Sequence, residues 1–504
     1  MCGILFSTSN DVTKENFLRG LEEMRHRGPD APMCCYYQEN IKMGHNRLKI
    51  VGLNEQSNQP YFSKDKRYVI IYNGEIYNYR ELSKQYNIPL ESGCDTELII
   101  ELSIKIGFEQ ALQQFNGMFA YVILDTISKK FFAARDRLGV KPLYMYQKSE
   151  NYIFSSEISA MLPMIGHVEL DDVGLRQYRK MRTFFNGYTI YKQIKMFPAG
   201  YYMKNNKLTC YWSLPNEEQN APEDDELKAL ITSSIAYRQI SDVSVGSYLS
   251  GGLDSTIVAA VSKELHTYTV GFKEYNEFAF AKLAAEKIGT KHHEVLVTKE
   301  DFYSTAAEMI KKRKEPLSVP NEVLLYLMTK EVKKNNTVIL SGEGADELFF
   351  GYDRIFRWAN SSSEFDVRRF SELYSYGSND DTEIVESVIA PFYKYGKPIN
   401  VVSAFFQIAH LHGLLRRLDN ASMMCSVEAR VPFTDYRLVE RLAGCPFEWK
   451  MQNGIVKAPL KRIFNKTIPS EIIKRKKIGF PVPIIKYDDW LNFNLKSLDA
   501  NTEV

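Results

Sequence analysis

The cysteine at position 2 is the first side chain in this sequence that can act as a nucleophile. If the initiator Met1 is removed, which a small second residue permits, the Cys2 thiol stands beside its own α-amine. An α-amine has a pKa of about 7.7–8.0 and can accept the thiol proton without a histidine. A lone cysteine near the start of a chain is usually incidental, so this hypothesis depends on the segments that follow.

Several polar segments follow Cys2 in a specific order. They are Arg-His-Arg-Gly-Pro-Asp at 25–30, His-Asn-Arg-Leu-Lys-Ile-Val at 45–51, Asn-Gly-Glu-Ile-Tyr-Asn at 73–78, Ser-Gly-Cys-Asp-Thr-Glu at 92–97, Asp-Arg-Leu-Gly-Val-Lys-Pro-Leu-Tyr at 136–144 and Ser-Ser-Glu at 155–157. Together they resemble the glutaminase domain of the class II (amino-terminal-nucleophile) glutamine amidotransferases over roughly the first 200 residues.

This resemblance implies a catalytic set of three residues. Cys2 would attack the side-chain amide of glutamine and form a thioester. The Asn73 side chain and the Gly74 backbone N–H would donate to the oxyanion of the tetrahedral intermediate. Glycine at position 74 lets the backbone come close without a Cβ in the way.

The resemblance also implies how glutamine itself is bound. Arg47 would hold the α-carboxylate through two parallel hydrogen bonds. Asp95, with Glu75 nearby, would bind the α-ammonium group. The complete predicted set of glutamine contacts is Arg47, Ile50, Val51, Asn73, Gly74, Glu75 and Asp95.

A second group of chemical residues lies at 250–255, with the sequence Ser-Gly-Gly-Leu-Asp-Ser, between a predicted strand and a helix. Two glycines let successive amides point at phosphate oxygens, and the helix amino terminus adds its positive end. Asp254 is a hard oxygen ligand that suits Mg²⁺. No lysine follows, so this is not a P-loop. The six residues resemble the pyrophosphate loop of the ATP pyrophosphatase superfamily.

A second glycine loop, Ser-Gly-Glu-Gly-Ala-Asp-Glu at 341–347, also leaves the end of a predicted strand. Ligands of open parallel sheets bind at the carboxyl ends of the strands, so both loops can face one nucleotide. The segments 427–435, 454–457 and 475–483 complete a resemblance to the asparagine synthetase catalytic domain. The whole chain therefore resembles the glutamine-hydrolysing asparagine synthetase family.

The family resemblance implies ATP as co-substrate and Mg²⁺ as cofactor. The aspartate β-carboxylate would attack the α-phosphorus of ATP, and ammonia channelled from Cys2 would displace AMP from β-aspartyl-AMP. Glu343 would take a proton from the attacking ammonia, and Asp254 and Asp346 would hold the metal. The predicted nucleotide contacts are Leu249, Ser250, Gly251, Gly252, Asp254, Ser255, Val270, Ser341, Gly342 and Lys457.

Two positions depart from the family pattern. Phe350 replaces the first glycine of a Gly-Gly-Tyr turn, and Asp419-Asn420 replaces Asp-Arg. Neither lies in the phosphate loops, and both are expected near the acceptor carboxylate. The acceptor therefore stays open between aspartate and another carboxylate, such as a sugar acid or a peptide side chain. A non-catalytic sensor of glutamine or nucleotide is the alternative from another class.

The elements that must position these residues change along the chain. The first 200 residues contain short β-branched and aromatic runs bounded by turns, such as 68–72 and 119–124. From about residue 225, strands alternate with glycine loops and helical patterns, which predicts a parallel sheet covered on both faces. After about residue 355 the pattern is mostly helical.

These patterns and the resemblance predict a two-domain chain that combines α+β and α/β classes. Residues 1–212 form an αββα sandwich glutaminase domain, as the resemblance implies. The acidic, proline-bounded segment 213–225 is the linker. Residues 226–504 form a doubly wound, parallel-sheet ATP pyrophosphatase domain with a helical carboxy-terminal part.

Composition excludes several classes of protein. The 504 residues carry 64 basic and 62 acidic side chains, a net charge of +2, which disfavours nucleic acid as a partner. No apolar run approaches the roughly 18 residues that cross a bilayer, and no signal peptide is visible, so a cytoplasmic protein is expected. Seven cysteines without a C-x-x-C pair disfavour a disulfide scaffold and structural zinc. The expected partners are glutamine, aspartate and ATP, and a homodimer stays open.

Overall fold

The computed structural model of the protein describes residues 2–262, 265–377, 380–475 and 482–499. Its amino-terminal part contains two six-stranded antiparallel sheets, with strand orders β10-β8-β9-β1-β3-β2 and β12-β11-β7-β6-β5-β4. The strands are β1 (Gly3–Ser7), β2 (Cys34–Gln38), β3 (Ile41–Asn46), β4 (Tyr61–Phe62), β5 (Tyr68–Ile76), β6 (Gly117–Asp125), β7 (Phe131–Arg135), β8 (Tyr144–Lys148), β9 (Asn151–Ser155), β10 (Ile194–Met196), β11 (Tyr201–Lys204) and β12 (Lys207–Cys210).

Helices cover the outer faces of the two sheets. They are α1 (Lys14–Glu23), α2 (Tyr79–Gln85), α3 (Asp95–Ile106), α4 (Phe108–Gln114), α5 (Leu162–Ile165) and α6 (Asp172–Met181). Helix α1 contacts β1 and β3 of the first sheet, and α3 contacts β5 of the second. The predicted αββα sandwich is therefore confirmed.

Strand β5 shows why this part of the sequence is almost continuously apolar. Val69 and Ile71 belong to the core between the two sheets. Ile70 and Tyr72 point to the opposite face, into the core beneath α3. Because side chains alternate along a strand, a strand covered on both faces needs apolar residues at every position.

The carboxy-terminal part is built on a five-stranded sheet in the order β15-β14-β13-β16-β17, in which all neighbours are parallel. Its strands are β13 (Val245–Tyr248), β14 (His266–Gly271), β15 (Lys291–Leu296), β16 (Val338–Leu340) and β17 (Glu428–Arg430). The order reverses between β13 and β16, which opens a crevice at their carboxyl ends. The predicted parallel sheet is confirmed, whereas β15 and β17 were not recognised in the sequence.

Helices surround this sheet and make up most of the remaining described residues. They are α7 (Asp224–Arg238), α8 (Leu253–Val261), α9 (Phe278–Ile288), α10 (Lys299–Arg313), α11 (Asn321–Val332), α12 (Ala345–Leu348), α13 (Asp353–Ser361), α14 (Val367–Tyr374), α15 (Thr382–Ile389), α16 (Pro398–Phe405), α17 (Leu411–Met423), α18 (Tyr436–Leu442), α19 (Phe447–Lys450), α20 (Ala458–Ile463), α21 (Ser470–Lys474) and α22 (Tyr487–Asp499). The predicted helical carboxy-terminal part is confirmed.

Helices α16 and α17 join through a π turn into one run, Pro398–Met423. An 18-residue window of this 26-residue run has a mean hydropathy of 1.2, and within the described residues the run is the one helix long and apolar enough to cross a membrane. That is weak support for a membrane span, because 56% of the window is buried inside the protein and a core helix passes the same test. Its carboxy-terminal half carries charged residues that reach both halves of the molecule.

The segment 213–225 packs against the carboxy-terminal part of the chain. The Gln219 backbone N–H donates to the Gly444 carbonyl at 3.0 Å, and the Gln219 side chain donates to the Glu440 carbonyl at 2.9 Å. Just before the segment, Trp212 Nε1 donates to the Glu440 carboxylate at 2.6 Å. The segment is therefore fastened along α18, and a single apolar core continues from one part into the other.

Candidate functional site

Cys2 lies immediately before β1 and is buried. Its backbone N–H donates to Asn73 Oδ1 at 3.0 Å, and its carbonyl accepts from Arg27 Nε at 3.1 Å. Burial raises the pKa of the Cys2 thiol. Once Met1 is removed, the Cys2 backbone nitrogen becomes the free α-amine. Asn73 Oδ1 therefore accepts a hydrogen bond from the amine that is predicted to act as the base.

Asn73 lies on β5 next to Cys2, and its side chain is fully buried. While Oδ1 accepts from Cys2, Nδ2 has no hydrogen-bond partner among the described residues. A buried N–H without an acceptor is costly, and it is the type of donor that an oxyanion requires. The geometry therefore fits the predicted role of Asn73.

Gly74 follows Asn73 on β5 and packs closely against β6. A Cβ at this position would stand 2.7 Å from Phe119 Cα and 3.0 Å from the Met118 carbonyl carbon. Glycine was expected here so that the backbone could approach a substrate. The structure adds a second reason, which is the close approach of the neighbouring strand.

Arg47 follows β3 and is almost fully buried. Its Nη1 donates to the Asn54 carbonyl and to Asn58 Oδ1, both at 2.7 Å, and Nη2 donates to the Gly52 carbonyl. Its Nε makes no hydrogen bond to any described residue, so the Nε–Nη2 edge is the one on which a carboxylate can bind. The predicted contacts Ile50 and Val51 lie in the buried turn that follows.

The two carboxylates predicted for the α-ammonium group lie together. Asp95, at the start of α3, accepts from the Tyr72 hydroxyl at 2.7 Å and from the Ile76 N–H at 2.8 Å. Burial raises the pKa of Asp95. Burial and the neighbouring Asp95 raise the pKa of Glu75 well above its ordinary value, against the opposing effect of Arg430.

Arg430 reaches this pocket from the carboxy-terminal part of the chain. Its Nη2 lies 3.4 Å from Glu75 Oε1, and its Nε lies 2.5 Å from Glu428 Oε1 on the same strand, β17. The Arg430 carbonyl accepts the Ser341 N–H at 2.9 Å, at the first residue of the second glycine loop. One residue thus contacts both predicted sites. Sequence reasoning missed it, although it lies in the quoted segment 427–435.

A second buried ionic contact joins the two parts below Cys2. Arg27 lies 2.9 Å from Asp419 on α17 and 3.1 Å from Glu157, and Lys141 lies 3.4 Å from Asp419. Burial alone would raise the pKa of Glu157, but His26 and Arg27 hold it well below its ordinary value. Asp419 therefore serves the contact between the two parts.

The two departures from the family pattern were expected near the acceptor, and that placement stays a prediction. Phe350 is buried, stacks on Phe356 with ring centroids 4.1 Å apart, and adopts a left-handed φ of 56°. Asn420 points to Glu315 at 3.5 Å. None of Phe350, Asp419 and Asn420 is among the described residues that line the cavity below.

A cavity of about 680 Å³ opens at the carboxyl ends of β13, β14 and β16. Both glycine loops contribute to its wall, as the switch in strand order requires. The predicted residues that line it are Leu249, Ser250, Gly252, Asp254, Ser255, Val270, Ser341, Gly342, Glu343, Asp346 and Lys457. Gly251 does not line it, because this glycine turns away with a φ of 69° and its carbonyl accepts from Arg475 at 3.3 Å.

The first glycine loop is closed by its own hydroxyl groups. The Gly252 N–H donates to Ser250 Oγ at 3.2 Å, Ser255 Oγ donates to the Gly252 carbonyl at 3.2 Å, and the two serine hydroxyls lie 3.1 Å apart. Helix α8 begins directly afterwards at Leu253. This loop therefore presents a helix amino terminus to the cavity, which favours phosphate.

Lys457 connects the two carboxylates that were predicted to hold Mg²⁺. Its Nζ lies 2.5 Å from Asp254 Oδ2 and 2.6 Å from Asp346 Oδ1. Burial would lower the pKa of Lys457, but these two carboxylates raise it above its ordinary value. No group of three or more metal-binding side chains occurs among the described residues. The converging carboxylates still fit a divalent cation whose other ligands are phosphate oxygens or water.

Gly351 stands against this charged group. A Cβ on Gly351 would lie 2.6 Å from Asp346 Cγ and 2.7 Å from Lys457 Cε. A side chain at this position would therefore displace one carboxylate and the ammonium group.

Glu343 lines the cavity and is paired with Arg417 on α17 at 2.6 Å. Arg417 was not recognised in the sequence, because a helical arginine carries no local motif. Arg475 also lines the cavity and contacts Glu277. Of the predicted segment 475–483, residues 476–481 lie outside the described part of the chain.

Two family models match the chain. The asparagine synthase model matches residues 226–501, and the glutamine amidotransferase domain model matches residues 1–212. The glutamine-hydrolysing asparagine synthetase 3 of Bacillus subtilis is 30% identical over 95% of this chain and 87% of its own length. A putative asparagine synthetase 2 of Methanocaldococcus jannaschii is 33% identical over 70% of this chain and 76% of its own length.

Among solved structures, glutamine phosphoribosylpyrophosphate amidotransferase from B. subtilis aligns at 14% identity. The alignment covers 58% of this chain and 65% of that chain, with a TM-score of 0.33. That similarity is too low to support an argument about this protein.

Proposed function

The chain belongs to the asparagine synthase family and is a glutamine-dependent ligase; we propose that it makes L-asparagine from L-aspartate, ATP and the amide nitrogen of glutamine. ATP is the co-substrate of this family. The observation that carries the proposal is the cavity in which both glycine loops meet Lys457, Asp254 and Asp346. A buried cysteine with an unsatisfied amide donor beside it supports the glutamine reaction in the same chain.

In the glutamine reaction, Cys2 attacks the side-chain amide carbon and its thiol proton passes to the α-amine of the same residue. Asn73 Nδ2 and the Gly74 N–H hold the oxyanion until ammonia leaves. Water then releases glutamate from the thioester. Arg47 holds the glutamine α-carboxylate on its open edge, and Glu75 and Asp95 hold the α-ammonium group.

In the synthetase reaction, one aspartate β-carboxylate oxygen attacks the α-phosphorus of ATP. The bond from the α-phosphorus to the bridging oxygen breaks, which gives β-aspartyl-AMP and pyrophosphate. Loop amides from 250–255 and the Lys457 ammonium stabilise the phosphate charge. A Mg²⁺ ion held by Asp254 and Asp346 would neutralise further charge on the leaving pyrophosphate.

The second step in this cavity forms the amide bond. Ammonia, channelled from Cys2, attacks the β-carbonyl carbon, AMP leaves, and Glu343 takes the excess proton. The ion pair between Glu343 and Arg417 orients this carboxylate before ammonia arrives. The pairs Arg430–Glu75 and Arg27–Asp419 hold the two reaction sites in one unit.

The proposal includes the organisation and setting of the enzyme. Residues 1–212 form the glutaminase domain, 213–225 the connecting segment and 226–504 the synthetase domain. We place the enzyme in the cytoplasm, with glutamine, aspartate and ATP as partners and without nucleic acid or membrane.

The test combines substrates and one substitution. With ATP, Mg²⁺, aspartate and either glutamine or ammonium, the protein should form asparagine, AMP and pyrophosphate. Mass spectrometry identifies these products. Cys2→Ala should abolish the glutamine reaction and keep the ammonium reaction, whereas Cys210→Ala, at an exposed cysteine, should keep both. An amide of another carboxylic acid, or no turnover, would overturn the proposal. Intact mass should show that Met1 is absent.

A further inference from the structure

One wall of the nucleotide cavity comes from the amino-terminal part of the chain. Met181, Arg182 and Thr183, at the end of α6, line the same cavity as the two glycine loops. Thr183 packs on α17, because a Cβ on Gly413 would stand 3.2 Å from Thr183 Cγ2. The loop after α6 thus forms one wall of the cavity and packs against α17, the helix that also carries Arg417.

Arg182 is held in this wall by two aromatic rings. Its guanidinium carbon lies 3.1 Å from the ring centroid of Tyr376 and 4.4 Å from that of Tyr487. Burial lowers the pKa of Arg182, and its Nε has no acceptor within the described part of the chain. The rings orient the guanidinium, but they do not neutralise its charge.

The backbone at Arg182 is also in an unusual conformation. Arg182 is the residue that caps the carboxyl end of α6, with a φ of 62° and a ψ of 10°. This left-handed conformation is the one that glycine adopts at helix ends, and it costs about 1 kcal/mol for other residues. Such costs persist at positions where the side chain is used.

The other cations of the cavity have partners or serve the phosphates. Arg417, Lys457 and Arg475 each pair with a carboxylate. Among the described lysines and arginines that line the cavity, only Lys461 and Arg182 form no ion pair. Lys461 lies near Lys457 and Asp254 at the phosphate end, which leaves Arg182 as the other lining cation without an ion pair.

We propose that Arg182 binds the carboxylate of the acceptor that is not activated, which in aspartate is the α-carboxylate. The guanidinium, in contact with both rings, would present its edge to that carboxylate. The inference rests on the proposed function and narrows the acceptor class to compounds with a second carboxylate. Tyr376 and Tyr487 are positioning residues for this contact.

The test compares two acceptors in the ammonium-dependent reaction. β-Alanine is aspartate without its α-carboxylate, so the parent enzyme should prefer aspartate in kcat/KM. Arg182→Gln should raise the KM for aspartate about tenfold to a hundredfold, the value of a charge-assisted hydrogen bond. It should reduce the kcat/KM preference for aspartate over β-alanine by the same factor. The KM for ATP and the rate of glutamine hydrolysis should each stay within twofold of the parent values.

Two further variants separate binding from folding. Arg179→Gln removes the same charge from an exposed position on α6 and should change nothing. Arg182→Lys keeps the charge but loses the planar edge, so it should raise the KM for aspartate with little change in kcat. If Arg182→Gln fails to fold, the KM of Arg182→Lys for aspartate tests the inference by itself.

An unchanged KM for aspartate, or an unchanged preference over β-alanine, in a folded Arg182 variant overturns the inference. If the parent protein makes no asparagine at all, the proposed function fails instead. Glutamine hydrolysis in the same preparations reports whether the chain is folded in both cases.

Discussion

Replacing Gly351 by alanine should disable the ATP-dependent step and leave glutamine hydrolysis intact. The new Cβ would stand 2.6 Å from Asp346 Cγ and 2.7 Å from Lys457 Cε. Non-bonded carbon atoms normally stay about 3.5 Å apart, so each side chain must move by about 1 Å. Because Gly351 does not have a positive φ, alanine adds no backbone strain. A misplacement of about 1 Å in a reacting group lowers rates about a hundredfold.

The assay measures two activities in one preparation. Pyrophosphate release with aspartate, ATP and ammonium should fall about a hundredfold in Gly351→Ala, because the reacting groups are displaced by about 1 Å. Glutamate release from glutamine should stay within twofold, since Cys2 lies beside β1 in the amino-terminal part of the chain. Gly289→Ala is the control, because no atom lies within 4 Å of a Cβ there. Its left-handed φ of 80° costs alanine about 1 kcal/mol of stability, and both activities should be retained.

One result would refute the reasoning about Gly351. If Gly351→Ala released pyrophosphate at the parent rate with an unchanged KM for ATP, the contact between Asp346 and Lys457 would not position the reacting groups. Loss of both activities would instead indicate unfolding, which thermal denaturation detects.

Asn73→Ala should lower kcat for glutamine hydrolysis by about 10²–10³ and spare ammonium-dependent synthesis, as measured by glutamate release. Arg430→Lys should raise the KM for glutamine, because Glu75 loses its guanidinium partner; initial rates at several glutamine concentrations check this. Phe350→Gly should destabilise the fold by about 2–4 kcal/mol in urea unfolding, because lost packing exceeds the relief of its left-handed backbone. Burial holds the pKa of His45 at about 3, below its ordinary 6.5. The unfolded chain therefore binds a proton first as pH falls, so stability should drop below pH 6.5 by about 1.4 kcal/mol per unit, and His45→Gln should flatten the denaturation curves.

The elements around the glycine loops could be predicted because their signals are local. A strand, two glycines and an apolar helix occupy consecutive residues, so 250–255 had to lie at the carboxyl end of a strand. The alternation of strands and helices then predicted the parallel sheet and the crevice. The run 68–72 likewise predicted a strand, but one that ends in a turn, whereas β5 continues through Asn73 and Gly74 to Ile76.

Contacts between distant residues could not be predicted in this way. Arg27 and Asp419 are 392 positions apart, and nothing in either segment indicates the other. Arg430 was assigned to the synthetase from its neighbours, but its guanidinium lies beside Glu75. The ion pair of Lys457 with both carboxylates likewise depends on how three separate loops pack.

Phe350 shows a different limit of sequence reasoning. Phe350 was noted only as a departure from a family glycine, whereas its backbone adopts a left-handed φ of 56° and its ring enters an aromatic cluster. Packing of the ring offsets the strain of the backbone. The residue type at position 350 therefore did not predict its backbone conformation, because tertiary contacts of the ring determine it.

The buried charge pairs between the two parts constrain which substitutions this chain can accept during evolution. A substitution at Asp419 removes one of the two carboxylates beside Arg27 and the carboxylate beside Lys141, so buried positive charge is left undercompensated, at a cost of roughly 3–5 kcal/mol. Loss of Arg430 likewise removes the guanidinium beside Glu75, so substitution at one of these positions changes what the other can tolerate. Natural relatives should vary at these positions in pairs. A chimera that joins the first half of this chain to the second half of a relative should fold only when both members of each pair are transferred together.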